Sequence, residues 1–169
     1  MQYLELVKQR FSVRSYSPAP VEEDKLQEIL EAGRLAPSAA NRQPCSLVVV
    51  RDERKRRALG EAYPRDWFWS APVIIVVCVE PARAWVRADG KNFANVDGAI
   101  MMDHLTLSAA SLGLGTCWIG AFEPAKVKRV LALPDGVEPL VMTPLGYSSE
   151  PLRVKSRKPS SEVIHLDSW

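Results

Sequence analysis

Two short basic clusters stand at opposite ends of the chain: Arg10, Ser12 and Arg14 near the start, and Lys155, Arg157 and Lys158 near the finish. Arginine presents a planar fork that matches phosphate oxygens two at a time, lysine a point charge and serine a short donor. Joined, these residues suit a dianionic phosphate; apart, each cluster is an ordinary solvated charged face. A second candidate is the stretch A-P-S-A-A-N-R-Q-P at residues 36–44. Its small residues let backbone N–H groups approach a ligand, and Asn41 and Gln43 carry amides that read ring edges or sugar hydroxyls. The same residues also suit a plain helix-to-strand connection. A third is the glycine series Gly113, Gly115 and Gly120. It fails the G-x-G-x-x-G spacing, and it follows a helix and opens a strand, the reverse of a dinucleotide fingerprint. Gly113 and Gly115 read as helix-ending residues. Gly120, inside a strand, reads as a place where a ligand or another backbone comes close.

Other chemistry-bearing residues are less informative. Trp67-Phe68-Trp69 could stack on a planar ligand or anchor a core. Cys45 and Cys117 have no His or Asp beside them to activate a thiol, and His104 lies mid-helix next to Asp103. No Ser-His-Asp order and no pair of carboxylates stands out.

The elements that must position these residues follow from periodicity. Residues 2–9 and 21–35 read as helices, the second with Glu22, Glu23 and Asp24 in its first turn and Leu26, Ile29, Leu30 and Gly33 on its buried face. Residues 46–51 and 72–79 read as buried strands. Between them lie a charged helix at 52–62, with Ala58 and Leu59 inward, and an aromatic loop at 64–69. Residues 92–112 form a long helix that is apolar on more than one face and is expected to be central and mostly buried. A short strand at 116–120, a helix at 123–131 and a strand at 140–147 follow, with Pro144 pointing to a sheet edge or a bulge. Residues 148–169 read as a tail that packs on something else. Helices and strands alternate irregularly, which favours an α+β fold with a mixed or antiparallel sheet.

Composition narrows the class. The 169 residues suit one domain, and 47% apolar with 25% charged residues excludes wholesale disorder. A net charge of +2 speaks against a dedicated nucleic-acid binder. The longest apolar run, residues 71–79, falls far short of the ~20 needed to span a bilayer, and the N-terminal stretch lacks a signal-peptide core. Three scattered cysteines and two histidines predict free thiols in a reducing, cytoplasmic compartment and no His-based metal site.

Four segments in order, R-F-S-V-R at 10–14, A-P-S-A-A-N-R-Q-P at 36–44, G-L-G-T-C-W-I-G-A-F at 113–122 and K-S-R-K-P at 155–159, resemble the FMN-dependent nitroreductase family, specifically its small members. The resemblance implies an α+β fold with a mixed, mostly antiparallel central sheet flanked by helices, in an intertwined homodimer. It implies a single FMN-binding domain over residues 1–169, with 150–169 an arm on the partner subunit. Each FMN site would be built from both subunits. Arg10 and Ser12 would meet the flavin phosphate with Lys155 and Arg157, Phe11 would be a further cofactor-binding residue, and Arg14 would stand at the pyrimidine edge. The loop Pro37–Gln43 would come from the partner, with Ser38 and Asn41 near the ribityl chain and ring and Pro37, Ala39 and Gln43 also binding the cofactor. Ile119 and Gly120 would bring backbone N–H groups near flavin N5. The implied activity is hydride transfer from NADH or NADPH to the flavin and onward to a nitroaromatic, quinone or related acceptor, in ping-pong order and without a side-chain acid or base. A flavin-binding or storage protein, and flavin-consuming or reductive dehalogenating chemistry, are alternatives within the same resemblance; a cofactor-free interaction module is an alternative outside it. Two departures stand out: Ile119 occupies a position that is acidic in larger members, and the segment 64–70 offers only Arg65 where Asn and Lys are common.

Overall fold

The computed structural model describes residues 2–169. An unbroken apolar run is stable as a strand only if both of its faces are covered. In β2 (Val73–Val79) every residue is buried. It pairs with β1 (Cys45–Val50) on one side and β4 (Glu138–Gly146) on the other, and β3 (Gly115–Thr116) closes the far side of β4. The order is β1-β2-β4-β3 and every neighbour is antiparallel. A parallel component enters through an isolated bridge between Ser12 and Thr116.

Helices α1 (Tyr3–Gln9), α2 (Glu23–Arg34) and α5 (Ala94–Ser111) lie to one side of the sheet. On that side Leu26, Ile29, Met102 and Leu105 pack on Val73, Ile75 and Val77. Helices α3 (Glu53–Leu59), α4 (Asp66–Ser70) and α6 (Pro124–Leu131) cover the other side, where Leu59, Phe68 and Val127 meet Ile74, Val76 and Met142. The alternation of β2 therefore feeds two cores at once.

Four expectations change. β1 is an edge strand, and of its residues only Val50 is fully buried. Residues 64–69 do not form a loop: α4 turns Phe68 into the core, and Tyr63 meets both Trp67 and Phe68 edge to face, at 5.8 and 5.4 Å between centroids. Pro144 lies in an inner strand. Met142 exchanges both backbone bonds with Ile119, and alternate residues of an antiparallel strand face the same neighbour. The missing N–H of Pro144 therefore points to the β3 side, in the gap between the Thr116–Leu145 and Ile119–Met142 pairs. Finally, α5 is central as expected, touching every strand and both α1 and α2, but it leaves one face open, where Val96 is 37% exposed.

Candidate functional site

Residues 10–16 leave α1 and run beside β3. The Val13 N–H donates to the Thr116 carbonyl at 2.9 Å, and Val13 is buried against Gly115, where a Cβ would lie only 2.7 Å from its side chain. In extended backbone this leaves Ser12 and Arg14 on the opposite side. The tail is then laced onto the same segment. Ser17 N–H donates to the Tyr147 carbonyl at 2.8 Å, Ser149 N–H to the Ser15 carbonyl at 3.0 Å, and the Arg14 N–H to the Glu150 carboxylate. Lys155 reaches the Val7 carbonyl at the end of α1.

The two basic clusters, about 145 positions apart in sequence, thus meet. Desolvation, then the charges of Arg10 and Arg157, hold the Lys155 ammonium below the usual lysine range. Among the described residues, none of Arg10, Arg14, Lys155 and Arg157 forms an ion pair, although Lys8, Arg34 and Arg153 all do. The nearby acid is Glu150, and its carboxylate is already taken by the Arg14 N–H and the Arg153 guanidinium, which keep it below the usual carboxylate range. Arg10 and Phe11 line a cavity of about 170 Å³ with Thr116 and Ser148. Lys155 and Arg157 line a neighbouring one with Val7 and Leu152. Lys158 is exposed.

The Ile119 N–H donates to the Met142 carbonyl at 2.8 Å, so the sheet consumes it and it cannot serve a ligand as the resemblance implied. Gly120, one residue on, is exposed. Of the nine glycines, Gly90, Gly113 and Gly136 have positive φ, and at Gly33, Gly60, Gly98, Gly115 and Gly146 a Cβ would fall under 3.0 Å from a neighbour. Gly120 has neither constraint: a Cβ there meets nothing within 4 Å.

The loop after α2 has an unusual backbone. Ala40, Asn41 and Gln43 take φ of 49°, 54° and 50°, a left-handed region that costs a non-glycine residue about 1–2 kcal/mol. Ser38 holds the loop from within, its hydroxyl accepting the Gln43 N–H at 2.9 Å and its carbonyl the Asn41 N–H at 2.9 Å. Asp97 of α5 holds it from outside by accepting the Ala39 N–H at 2.9 Å. Pro37, Ser38 and Gln43 line a separate cavity of about 210 Å³, next to Cys45 and Asp97. The basic cluster and this loop therefore line different cavities of the one chain.

Sequence reasoning overlooked Asp97 and Glu150. Trp67 and Trp69 pack at the rim of the core, with the Arg57 guanidinium 4.5 Å over the Trp69 ring, and among the described residues the Arg65 side chain bonds only the carbonyl of its neighbour Pro64. Burial pushes the Cys78 thiol up to about 11 and raises that of Cys117 as well, so these thiols stay protonated at neutral pH.

The chain matches the profile of the Nitroreductase family over residues 7–64 and 61–147. A crystal structure of a nitroreductase family protein from Clostridium difficile superposes with a TM-score of 0.93, covers 100% of both chains and is 34% identical. An FMN reductase (NAD(P)H) of Bacillus subtilis is 30% identical over 94% of this chain and 70% of its own. An NADPH-flavin oxidoreductase of Vibrio harveyi is 31% identical over 94% of this chain and 70% of its own. With a family profile matched over most of its length and a fold shared along all of it, the chain belongs to the nitroreductase family.

Proposed function

We propose that this chain is an FMN-dependent oxidoreductase that takes reducing equivalents from NADH or NADPH and delivers them to a small nitroaromatic, quinone or related acceptor in ping-pong order. The observation that carries this is the set of cations without counter-ions: Arg10, Lys155 and Arg157, gathered from both ends of the chain beside Ser12 and Arg14. Like charges assemble at a cost unless an anion joins them. A flavin phosphate, with two negative charges and three acceptor oxygens, fits that donor set. FMN, when bound, supplies two-electron redox chemistry between a nicotinamide and an acceptor.

The chain's own residues then bind and orient. Arg10, Lys155 and Arg157 hold the phosphate and lose their mutual repulsion, while Ser12 donates a short hydrogen bond. Arg14, whose side chain forms no ion pair among the described residues, presents a cation to the pyrimidine edge, where it favours the electron-rich state. Gly120 is exposed and a Cβ there would meet nothing within 4 Å, which supports close approach of a planar ring to its backbone N–H. The loop from Pro37 to Gln43 serves the site of a second copy. Three features support a homodimer: the separate cavities for loop and cations, the uncovered face of α5, and the exposed apolar residues Leu152, Val154, Ile164, Leu166 and Trp169 of an arm that packs on the partner. The whole chain acts as one FMN-binding domain. No described helix is long and apolar enough to cross a membrane, and the free thiols Cys45, Cys78 and Cys117 suit a cytoplasmic setting.

The test is a visible spectrum of the purified protein, before and after NADH or NADPH is added without oxygen. A flavin band that bleaches supports the oxidoreductase. A flavin band that persists with both donors moves the function to flavin binding or storage. No band after incubation with FMN sinks the proposal.

A further inference from the structure

The carboxylate of Asp97 is 2% exposed, yet only one of its oxygens has work within the chain. Oδ1 accepts the Ala39 N–H, while Oδ2 is buried with no donor among the described residues. A half-satisfied buried carboxylate costs stability, and selection for the fold alone would favour an apolar or amide side chain there. The charge is close to the loop on a second count, because burial and then the Asp97 carboxylate push the Cys45 thiol up to about 11. The segment it grips is the one the backbone disfavours, with left-handed φ at Ala40, Asn41 and Gln43. Such a segment persists only if its surroundings over-determine it. Within the loop Ser38 supplies one restraint, and across the fold Asp97 supplies the other.

We propose that Asp97 is a positioning residue: anchored in the first turns of α5, it fixes the Ala39 amide and so holds the Ser38–Gln43 loop in the shape that meets the cofactor of the partner's site. This rests on the proposal that the loop contacts FMN. A charged acceptor makes a stronger bond to an amide than a neutral one. The substitution Asp97→Asn keeps an oxygen for Ala39 without the buried charge, whereas Asp97→Leu keeps the branched outline in a larger side chain and accepts nothing.

The experiment compares the full-length protein with Asp97→Asn and Asp97→Leu by three readouts. Hydrogen exchange of the Ala39–Gln43 amides is followed in flavin-free protein. FMN affinity comes from flavin-fluorescence titration, and thermal midpoints are recorded without flavin. Asp97→Leu is expected to keep or raise the midpoint, speed exchange of the loop, and weaken FMN binding by at least about tenfold. Asp97→Asn is expected to fall between leucine and wild type in exchange and affinity, with a midpoint at or above wild type. Loop exchange and FMN affinity at wild-type levels in a folded Asp97→Leu overturn the inference. If leucine does not fold, a folded Asp97→Asn with loop exchange and FMN affinity at wild-type levels overturns it. Faster loop exchange in a protein whose wild type takes up no FMN leaves the positioning role standing and removes the flavin function instead.

Discussion

Arg10, Lys155 and Arg157 ride on long side chains, and the structure determines their backbone but hardly their tips: Lys155 finds one carbonyl, Arg157 the carbonyl of Ser156. The Ser38–Gln43 loop is the reverse. It carries little charge, and its form is set at backbone level by Ser38, Asp97 and three left-handed residues. One half of the proposed site is an electrostatic net that adapts to its anion; the other is a rigid cradle. The difference teaches where each half is vulnerable. Removing charge should damage the net without touching the fold, and changing backbone preference should reach only the cradle.

The largest expected effect comes from the net. Arg10→Ala or Arg157→Ala should each weaken FMN binding by roughly 10–150-fold, the equivalent of losing a charge-assisted hydrogen bond worth about 1.5–3 kcal/mol. The double variant should release flavin altogether on gel filtration. Thermal midpoints of the flavin-free proteins should match or slightly exceed wild type, since neither side chain has an ion-pair partner among the described residues to lose and each repels Lys155. Flavin retained by the double variant would remove the net from the site.

Gly120→Val comes next and sharpens the comparison from the ring side. A Cβ there meets no atom of the chain, so stability should stay within about 0.5 kcal/mol. FMN affinity should still fall by about tenfold if the ring lies against that backbone. Equal binding by valine and glycine would mean that the open space faces solvent.

The cradle responds to a different change. Ala40 is exposed at φ 49° and ψ 26°, where glycine avoids a left-handed strain of ~1–2 kcal/mol and gives back part of it as unfolded-chain entropy. Ala40→Gly should therefore raise stability by up to about 1 kcal/mol in denaturant titration. A glycine placed in the net, Ser156→Gly, should yield no such gain, because Ser156 is not among the left-handed residues.

The two halves were unequally legible in the sequence. Charge is visible in residue type, so Arg10 and Lys155 stood out long before the fold joined them. β2 was equally plain, because seven consecutive apolar residues have few other uses. The burial of β1 was not, since whether a strand is central or an edge depends on partners elsewhere in the chain. Helix α4 was missed because five residues are too few to show a period, and the buried Phe68 looks like its less buried neighbours. Asp97 reads as an acid favoured in the first turns of a helix. Its place one and two turns before Met101 and Leu105, on the face that packs inward, was the available signal. The amide of Ile119 was assigned to a ligand because one sequence does not reveal that Met142 claims it.

The smallest effect tests the net by proton linkage. In flavin-free protein, desolvation and the charges of Arg10 and Arg157 hold the Lys155 ammonium below the usual lysine range. The unfolded chain then binds more protons in the window between that lowered value and the ordinary one, so folding stability due to Lys155 rises with pH there. A bound phosphate reverses the field and raises the Lys155 pKa. Its contribution to FMN affinity is complete below the flavin-free value and fades as pH climbs through the bound one. Over the same alkaline window, wild type should gain stability and lose affinity relative to Lys155→Met. Opposite slopes in two measurements on one residue are hard to obtain from a cation that merely faces solvent. Parallel or flat curves would place Lys155 outside the net and leave the phosphate to Arg10 and Arg157 alone.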